Sequence, residues 1–136
     1  MKERIYLAGT TNGSKWREDL IKLLDSDKLS WFDPTDSKKP AKKLVQEDII
    51  ERVTCDKILY VLTPKMGTNQ DVKDVIDDSK RIPSKIILYV MNVDGSRRFN
   101  TKELGTMKRL MDVVSGNKAT VVRGSLQDLA NHLNTK

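Results

Sequence analysis

Five apolar runs alternate along the chain with five stretches of helical period. The runs Arg4–Ala8, Leu29–Phe32, Lys57–Leu62, Lys85–Val90 and Ala119–Val122 are short and rich in β-branched and aromatic residues, which predicts strands. Helices are predicted at about 15–25, 42–54, 69–80, 101–115 and 125–134 from their spacing of apolar positions. In the last, Leu126, Leu129, Ala130 and Leu133 fall at i, i+3, i+4, i+7, with Ser125 as its cap. The fourth has Leu104, Met107, Met111 and Val114 on one stripe behind Thr101, and the first has Trp16, Leu20, Ile21 and Leu24 behind Asn12 or Ser14. The second shows Val45, Ile49 and Val53 as its buried stripe.

Strict β-α alternation with strands apolar on both faces predicts a parallel sheet covered by helices on either side. Five strands in this length fit a flavodoxin-like α/β sandwich of order 2-1-3-4-5, joined by right-handed crossovers. Residues 1–136 then form a single domain. In such a sheet, ligands bind beyond the carboxyl ends of the strands, where the order reverses between strands one and three.

Composition narrows the classes. No apolar run approaches the roughly 20 residues of a membrane span. The first strand begins too early to leave room for a signal peptide. A single cysteine, Cys55, excludes an internal disulfide and a cysteine-cluster metal site, and the expectation is a cytoplasmic protein. The formal net charge of +6 comes with basic clusters at Lys38-Lys39, Lys42-Lys43 and Arg97-Arg98. These suit a solvated surface or a phosphate-attracting patch. Aromatic residues make up only 5% and are not interleaved with the basic ones, so a nucleic-acid platform is not expected. The stretch Ser37–Lys43 reads as a basic loop containing Pro40.

Candidate chemistry collects at the predicted ligand edge. Gly9-Thr10 closes strand one, where a glycine allows close approach and the following helix start offers N–H groups. The spacing matches neither a dinucleotide fingerprint nor a phosphate-binding loop. Asp33-Pro34 closes strand two and can equally be a plain turn. Asp48 flanks the apolar stripe of the second helix. Asp71, Asp74 and Asp78 share a stripe on the third, with Asp71 in the first turn, where the helix dipole favours its charge. His132 stands alone in the last helix, so no Ser-His-Asp or Cys-His set can be built on it. No carboxylate comes with a His or Cys partner set, so no metal is expected, and no cofactor motif is present.

In order and spacing, several segments resemble the nucleoside 2-deoxyribosyltransferase-like family, its short branch in particular. They are Ile5-Tyr6-Leu7-Ala8-Gly9-Thr10, Ser14-Lys15-Trp16-Arg17, Phe32-Asp33-Pro34, the run Asp56 to Gly67, Val75-Ile76-Asp77-Asp78-Ser79 and Leu126 to Asn134. The resemblance implies a flavodoxin-like fold and N-glycosidic chemistry on nucleosides or nucleotides. A carboxylate attacks the anomeric carbon, and a second base or water then accepts the sugar. By position, Asp71 is the implied nucleophile, with Asp74 the competing placement. Asp48 is the acid that protonates the base, and Tyr6 orients the nucleophile. Gly9, Thr10, Trp16, Asp33, Pro34, Met66 and Gly67 are implied along the substrate crevice.

The chain departs from the family in two places. The usual nucleophile is Glu, one methylene longer than Asp71, and Lys73 stands where a glycine is common. A nucleotide-binding protein without turnover is therefore the alternative. Relatives complete their sites across subunits, which implies a homo-oligomer. Met107, Leu110 and Met111 also exceed what one stripe readily buries. A response-regulator domain is excluded, because strand one ends in Ala8-Gly9-Thr10 and strand three in Thr63-Pro64 rather than in the required acids.

Overall fold

A computed structural model of the chain describes residues 2–11, 13–35, 41–67 and 69–135, without the side chains of 41–44. Asn12, the residues 36–40 and the side chains of Lys42 and Lys43 thus lie outside the described residues.

Strands β1 (Glu3–Gly9), β2 (Leu29–Phe32), β3 (Lys57–Leu62), β4 (Ile86–Val90) and β7 (Thr120–Val122) form one sheet in the order β2-β1-β3-β4-β7. Every pairing in it is parallel, with Tyr6 opposite Phe32 and Ile58, and Tyr60 opposite Leu88. This is the flavodoxin-like topology that the alternation predicts. Side chains along a strand point alternately to opposite faces, and that period divides the core into two layers. Tyr6, Ala8, Ile58, Tyr60, Leu62, Ile86 and Leu88 meet α3 (Gln70–Arg81) and α4 (Thr101–Gly116) through Val75, Met107, Leu110 and Val114. Ile5, Leu7, Leu59, Val61, Ile87 and Tyr89 meet α1 (Trp16–Ile21) and α5 (Leu126–Asn134) through Trp16, Leu20, Leu129, Ala130 and Leu133. No described helix is long and apolar enough to cross a membrane.

Helix α5 starts as predicted: Ser125 and Asp128 form a reciprocal capping box. Helix α4 starts at Thr101, within the expected range, but Asn100 rather than Thr101 caps it, in a box with Glu103. Its Leu104 is exposed, while Met107 and Leu110 are buried and Met111 is half-buried. One stripe therefore does cover these residues, and they offer no apolar surplus for a partner. Helix α1 is only six residues long, and the chain turns after Ile21.

The largest departure is α2 (Ala41–Thr54). Its predicted buried stripe faces outward: Val45, Ile49 and Val53 are 61%, 63% and 74% exposed, with Ile50 at 61%. Periodicity says which residues share a face, not which face meets the sheet. Beneath α2 the sheet presents the phenols of Tyr6 and Tyr60, which need polar partners once buried. Asp48 and Arg52, one turn apart, supply them. Arg4 also holds Glu51, with bonds of 2.8 and 2.9 Å.

A two-stranded antiparallel hairpin, β5 (Val93–Asp94) and β6 (Arg97–Arg98), follows β4 and is absent from the sequence prediction. It turns at Gly95, which has a φ of +62°.

Candidate functional site

The carboxyl end of β1 is built around crowded backbone. Gly9 has a φ of +114°, and a Cβ there would stand 2.1 Å from the Val61 carbonyl oxygen. The glycine is required by the close approach of β3. Thr10 is buried, and its hydroxyl accepts from the Thr63 amide at 3.0 Å. The Thr10 carbonyl accepts from Trp16 Nε1 and Arg17 Nη1, both at 2.8 Å. Arg17 also donates to the carbonyls of Leu7 and Gly9 at 3.1 and 3.3 Å. Its guanidinium lies over the Trp16 ring and 3.7 Å from Asp33. Burial works against the Arg17 charge, and Asp33, Tyr6 and Asp71 favour it. Trp16, implied as a substrate contact, is 1% exposed in the α1/α5 core layer with its N–H already satisfied. It supports the crevice from below and presents no surface to a ligand. Asp33 accepts from the amide and hydroxyl of Thr35 at 2.8 and 2.6 Å, closing a turn around half-buried Pro34.

A second cluster lies between α2 and the sheet. The Tyr6 phenol donates to Asp48 Oδ1. Arg52 stacks on the Tyr6 ring at 4.7 Å and lies 3.9 Å from Asp48 Oδ2. It also donates to the Tyr60 hydroxyl at 3.3 Å, and Tyr60 in turn donates to Asp78 Oδ2 at 2.7 Å. Buried Asp78 pairs with Arg81 at 2.6 Å as well. It is thus a bonded core carboxylate, not the surface member of an acidic stripe. Burial first, and then the acceptor carboxylates, push both phenols well above the ordinary tyrosine range, so both stay protonated donors. Burial opposes the Arg52 charge but is outweighed by the bonds to Tyr60 and Tyr6, which raise its pKa. The resemblance assigns Tyr6 to the nucleophile, whereas its phenol holds the other acid, Asp48.

Asp71 stands half-buried in the first turn of α3. Burial and then the neighbouring Asp74 raise its carboxyl above the usual range, while Arg17 and Arg52 pull it down. Arg17 and Arg52 thus link the two clusters to Asp71 through their charge. Asp74 is held by the Gln70 amide at 2.8 Å, and Asp71 has no side-chain bond among the described residues. The Met66–Gly67 turn leads toward Asp71 and borders a cavity of about 390 Å³. Met66, Phe99 and Met107 give this cavity an apolar floor. Gly67, Asn69, Lys102, Glu103 and Thr106 form its rim. The cavity groups Met66 and Gly67 with α4.

The hairpin completes this edge. Buried Asp94 accepts from Ser14 Oγ at 2.6 Å and lies 3.8 Å from Lys65 Nζ. Lys65 also donates to the Gly13 carbonyl at 3.4 Å. One carboxylate therefore ties the loops after β1, β3 and β4 together. Arg17, Arg52, Tyr60 and Asp94 are missing from the residues singled out in the sequence. The Asp94-Gly95 turn dipeptide, and the spacing of Arg52 four residues after Asp48, are the signals that point to two of them. Among the described residues, no cluster of three His, Cys, Asp or Glu could hold a metal ion. His132 is exposed, and Cys55 is a buried thiol whose pKa burial pushes up. No protein-family model matches the chain, and no curated protein matches it.

Proposed function

We propose that the protein cleaves or exchanges the N-glycosyl bond of nucleosides or nucleotides, as its resemblance to the nucleoside 2-deoxyribosyltransferase-like family implies. The observation that carries the reading is the pairing of Tyr6 with Asp48, joined through Arg52 to the charge on Asp71. It supplies two carboxylates in different settings, which is what acid-assisted displacement at an anomeric carbon needs.

In the forward step an Asp71 oxygen bonds to C1′ as the C1′–N bond breaks, and the departing base takes up a proton on the side that the resemblance gives to Asp48. A second base, or water activated by Asp48, then takes the sugar and frees Asp71. Tyr6 remains protonated and fixes Asp48. Arg17 and Arg52 offset part of the burial that raises the Asp71 carboxyl. The same reading has the protein act in the cytoplasm as a homo-oligomer, with a second copy covering Val45, Ile49, Ile50 and Val53 of α2.

The test is a panel of nucleosides and their 5′-monophosphates, assayed for released base. Base release that is abolished by Asp71→Asn and strongly reduced by Asp48→Asn is the expected result. Release that survives Asp71→Ala but not Asp74→Ala moves the nucleophile to Asp74. No release, with a nucleotide still raising the melting temperature, overturns turnover in favour of binding alone.

A further inference from the structure

An acid and an arginine four residues apart on a helix ordinarily meet, and a bonded guanidinium–carboxylate pair closes to about 2.7–2.9 Å. Asp48 and Arg52 on α2 have that spacing and stay apart. Arg52 Nε lies 3.9 Å from Asp48 Oδ2, beyond hydrogen-bond reach. Asp48 Oδ1 is taken by the Tyr6 phenol, and among the described residues Oδ2 accepts no hydrogen bond. The Asp48 side chain is 33% exposed, and Oδ2 is its one oxygen without a bond.

What holds Arg52 back lies beneath α2. Tyr60 is fully buried, and its hydroxyl accepts from Arg52 Nη1 at 3.3 Å. A phenol has one proton, and Tyr60 gives it to Asp78 Oδ2 at 2.7 Å, so its oxygen meets Arg52 purely as an acceptor. Asp78 is itself fixed, because its Oδ1 accepts from Arg81 at 2.6 Å. Its Oδ2 also draws the Arg52 charge from 3.9 Å. Burial opposes that charge, and the bond to Tyr60 is the largest influence in its favour. The α2 backbone has other anchors. Arg4 grips Glu51 with two bonds, and Lys85 Nζ donates to the carbonyls of Arg52 and Val53 at 3.3 and 2.9 Å. Once Tyr60 and Asp78 no longer hold it, Arg52 therefore swings by its side chain alone, and the acid one turn away is Asp48.

We propose that Tyr60 and Asp78 are positioning residues: together they hold Arg52 off Asp48 and so keep Asp48 Oδ2 open to the ligand. The proposal rests on the N-glycosyl reading for what that oxygen contacts, but not for where Arg52 stands.

Two measurements test it. In the first, arginine side-chain NMR follows the Arg52 Nε–H signal, assigned by its loss in Arg52→Gln. Tyr60→Phe combined with Asp78→Asn should move that signal and slow its exchange with water as Arg52 closes on Asp48. Adding Asp48→Asn should undo both changes. In the second, base release is measured on the panel of nucleosides and 5′-monophosphates. The double substitution should lower kcat/KM by roughly ten- to a hundred-fold, the span of one charge-assisted hydrogen bond. In an Arg52→Gln background it should lower kcat/KM no further, a coupling that plain loss of packing around Tyr60 would not show. Tyr60→Phe alone should give a milder form of both effects, and it serves as the test if the pair does not fold. An Arg52 signal that stays in place overturns the proposal, as does a fall in kcat/KM of the same size without Arg52. A wild type that releases no base defeats the N-glycosyl reading, and the NMR measurement still decides the position of Arg52.

Discussion

Replacing Gly9 by alanine tests the packing at the ligand edge most directly. The new Cβ would lie 2.1 Å from the Val61 carbonyl oxygen, 1.3 Å short of the 3.4 Å at which ordinary contact begins. The obstacle is backbone on both sides, so no rotamer change relieves it, and β1 and β3 must part at that rung. Parting them stretches the 3.0 Å bond from the Thr10 amide to the Val61 carbonyl. The cost has three sources. A side chain at positive φ adds about 1–2 kcal/mol, a lost buried hydrogen bond about 1 kcal/mol, and overpacking about 1–3 kcal/mol. Together these amount to roughly 3–6 kcal/mol, against a total stability on the order of 5–15 kcal/mol. Gly13→Ala is the matched control. Its φ of +72° carries the same kind of backbone strain, but nothing lies within 4 Å of the added Cβ. About 1 kcal/mol is expected there. Urea denaturation of the two variants, with slopes compared to the wild type, measures both. If Gly9→Ala loses no more than about 1 kcal/mol beyond Gly13→Ala, steric contact with β3 is not what requires the glycine.

Three further outcomes are expected. Burial first, and Asp74 second, raise the Asp71 carboxyl, so the folded protein takes that proton more readily than the unfolded chain. Ionised Asp71 therefore destabilises the fold at neutral pH. Asp71→Asn should be the more stable protein at pH 7, the gap closing as pH falls through the raised folded-state value toward the ordinary carboxylate value of about 4; an Asn variant less stable at pH 7 contradicts this. Tyr60→Phe removes a donor from buried Asp78 and should cost about 1–3 kcal/mol in thermal or chemical unfolding. Pairing it with Asp78→Asn should recover part of that loss, and strict additivity would show that the bond is not coupled. The double substitution Ile49→Asp with Val53→Asp should leave the monomer fold intact and abolish self-association in light scattering. A wild-type monomer at tens of micromolar (about the range of weak dimers) contradicts the homo-oligomer.

The sheet was legible in the sequence because its strands are buried on both faces and read as apolar runs, Ile58 to Leu62 above all. Helix α5 was legible because Ser125 and Leu126, Leu129 and Leu133 mark both its start and its inner face. The orientation of α2 was not. Val45, Ile49 and Val53 form a regular stripe, but what α2 must satisfy is two phenols that arrive from strands elsewhere in the chain. The two-residue strands of the hairpin carry no alternation, only an Asp94-Gly95 turn. Arg17 looks like any surface arginine, and only the meeting of three carbonyls from Leu7, Gly9 and Thr10 draws it inside. Within the candidate site, the acids Asp48 and Asp71 came from the family resemblance. The bond from Tyr6 to Asp48 rather than to Asp71 emerged only in three dimensions.

The Asp94 clasp carries a mechanical consequence. Loops that border a crevice ordinarily loosen one at a time, each with its own small opening energy. Here the Ser14 hydroxyl and the Lys65 ammonium hang on the same carboxylate, so the segments after β1 and β3 share one hinge pin on the hairpin after β4. Releasing that pin frees all three at once, and seating it sets all three. The doorway to the strand ends therefore behaves as a single hinged panel whose amides, from Gly13 through Lys65 to Gly95, should gain and lose exchange protection in step.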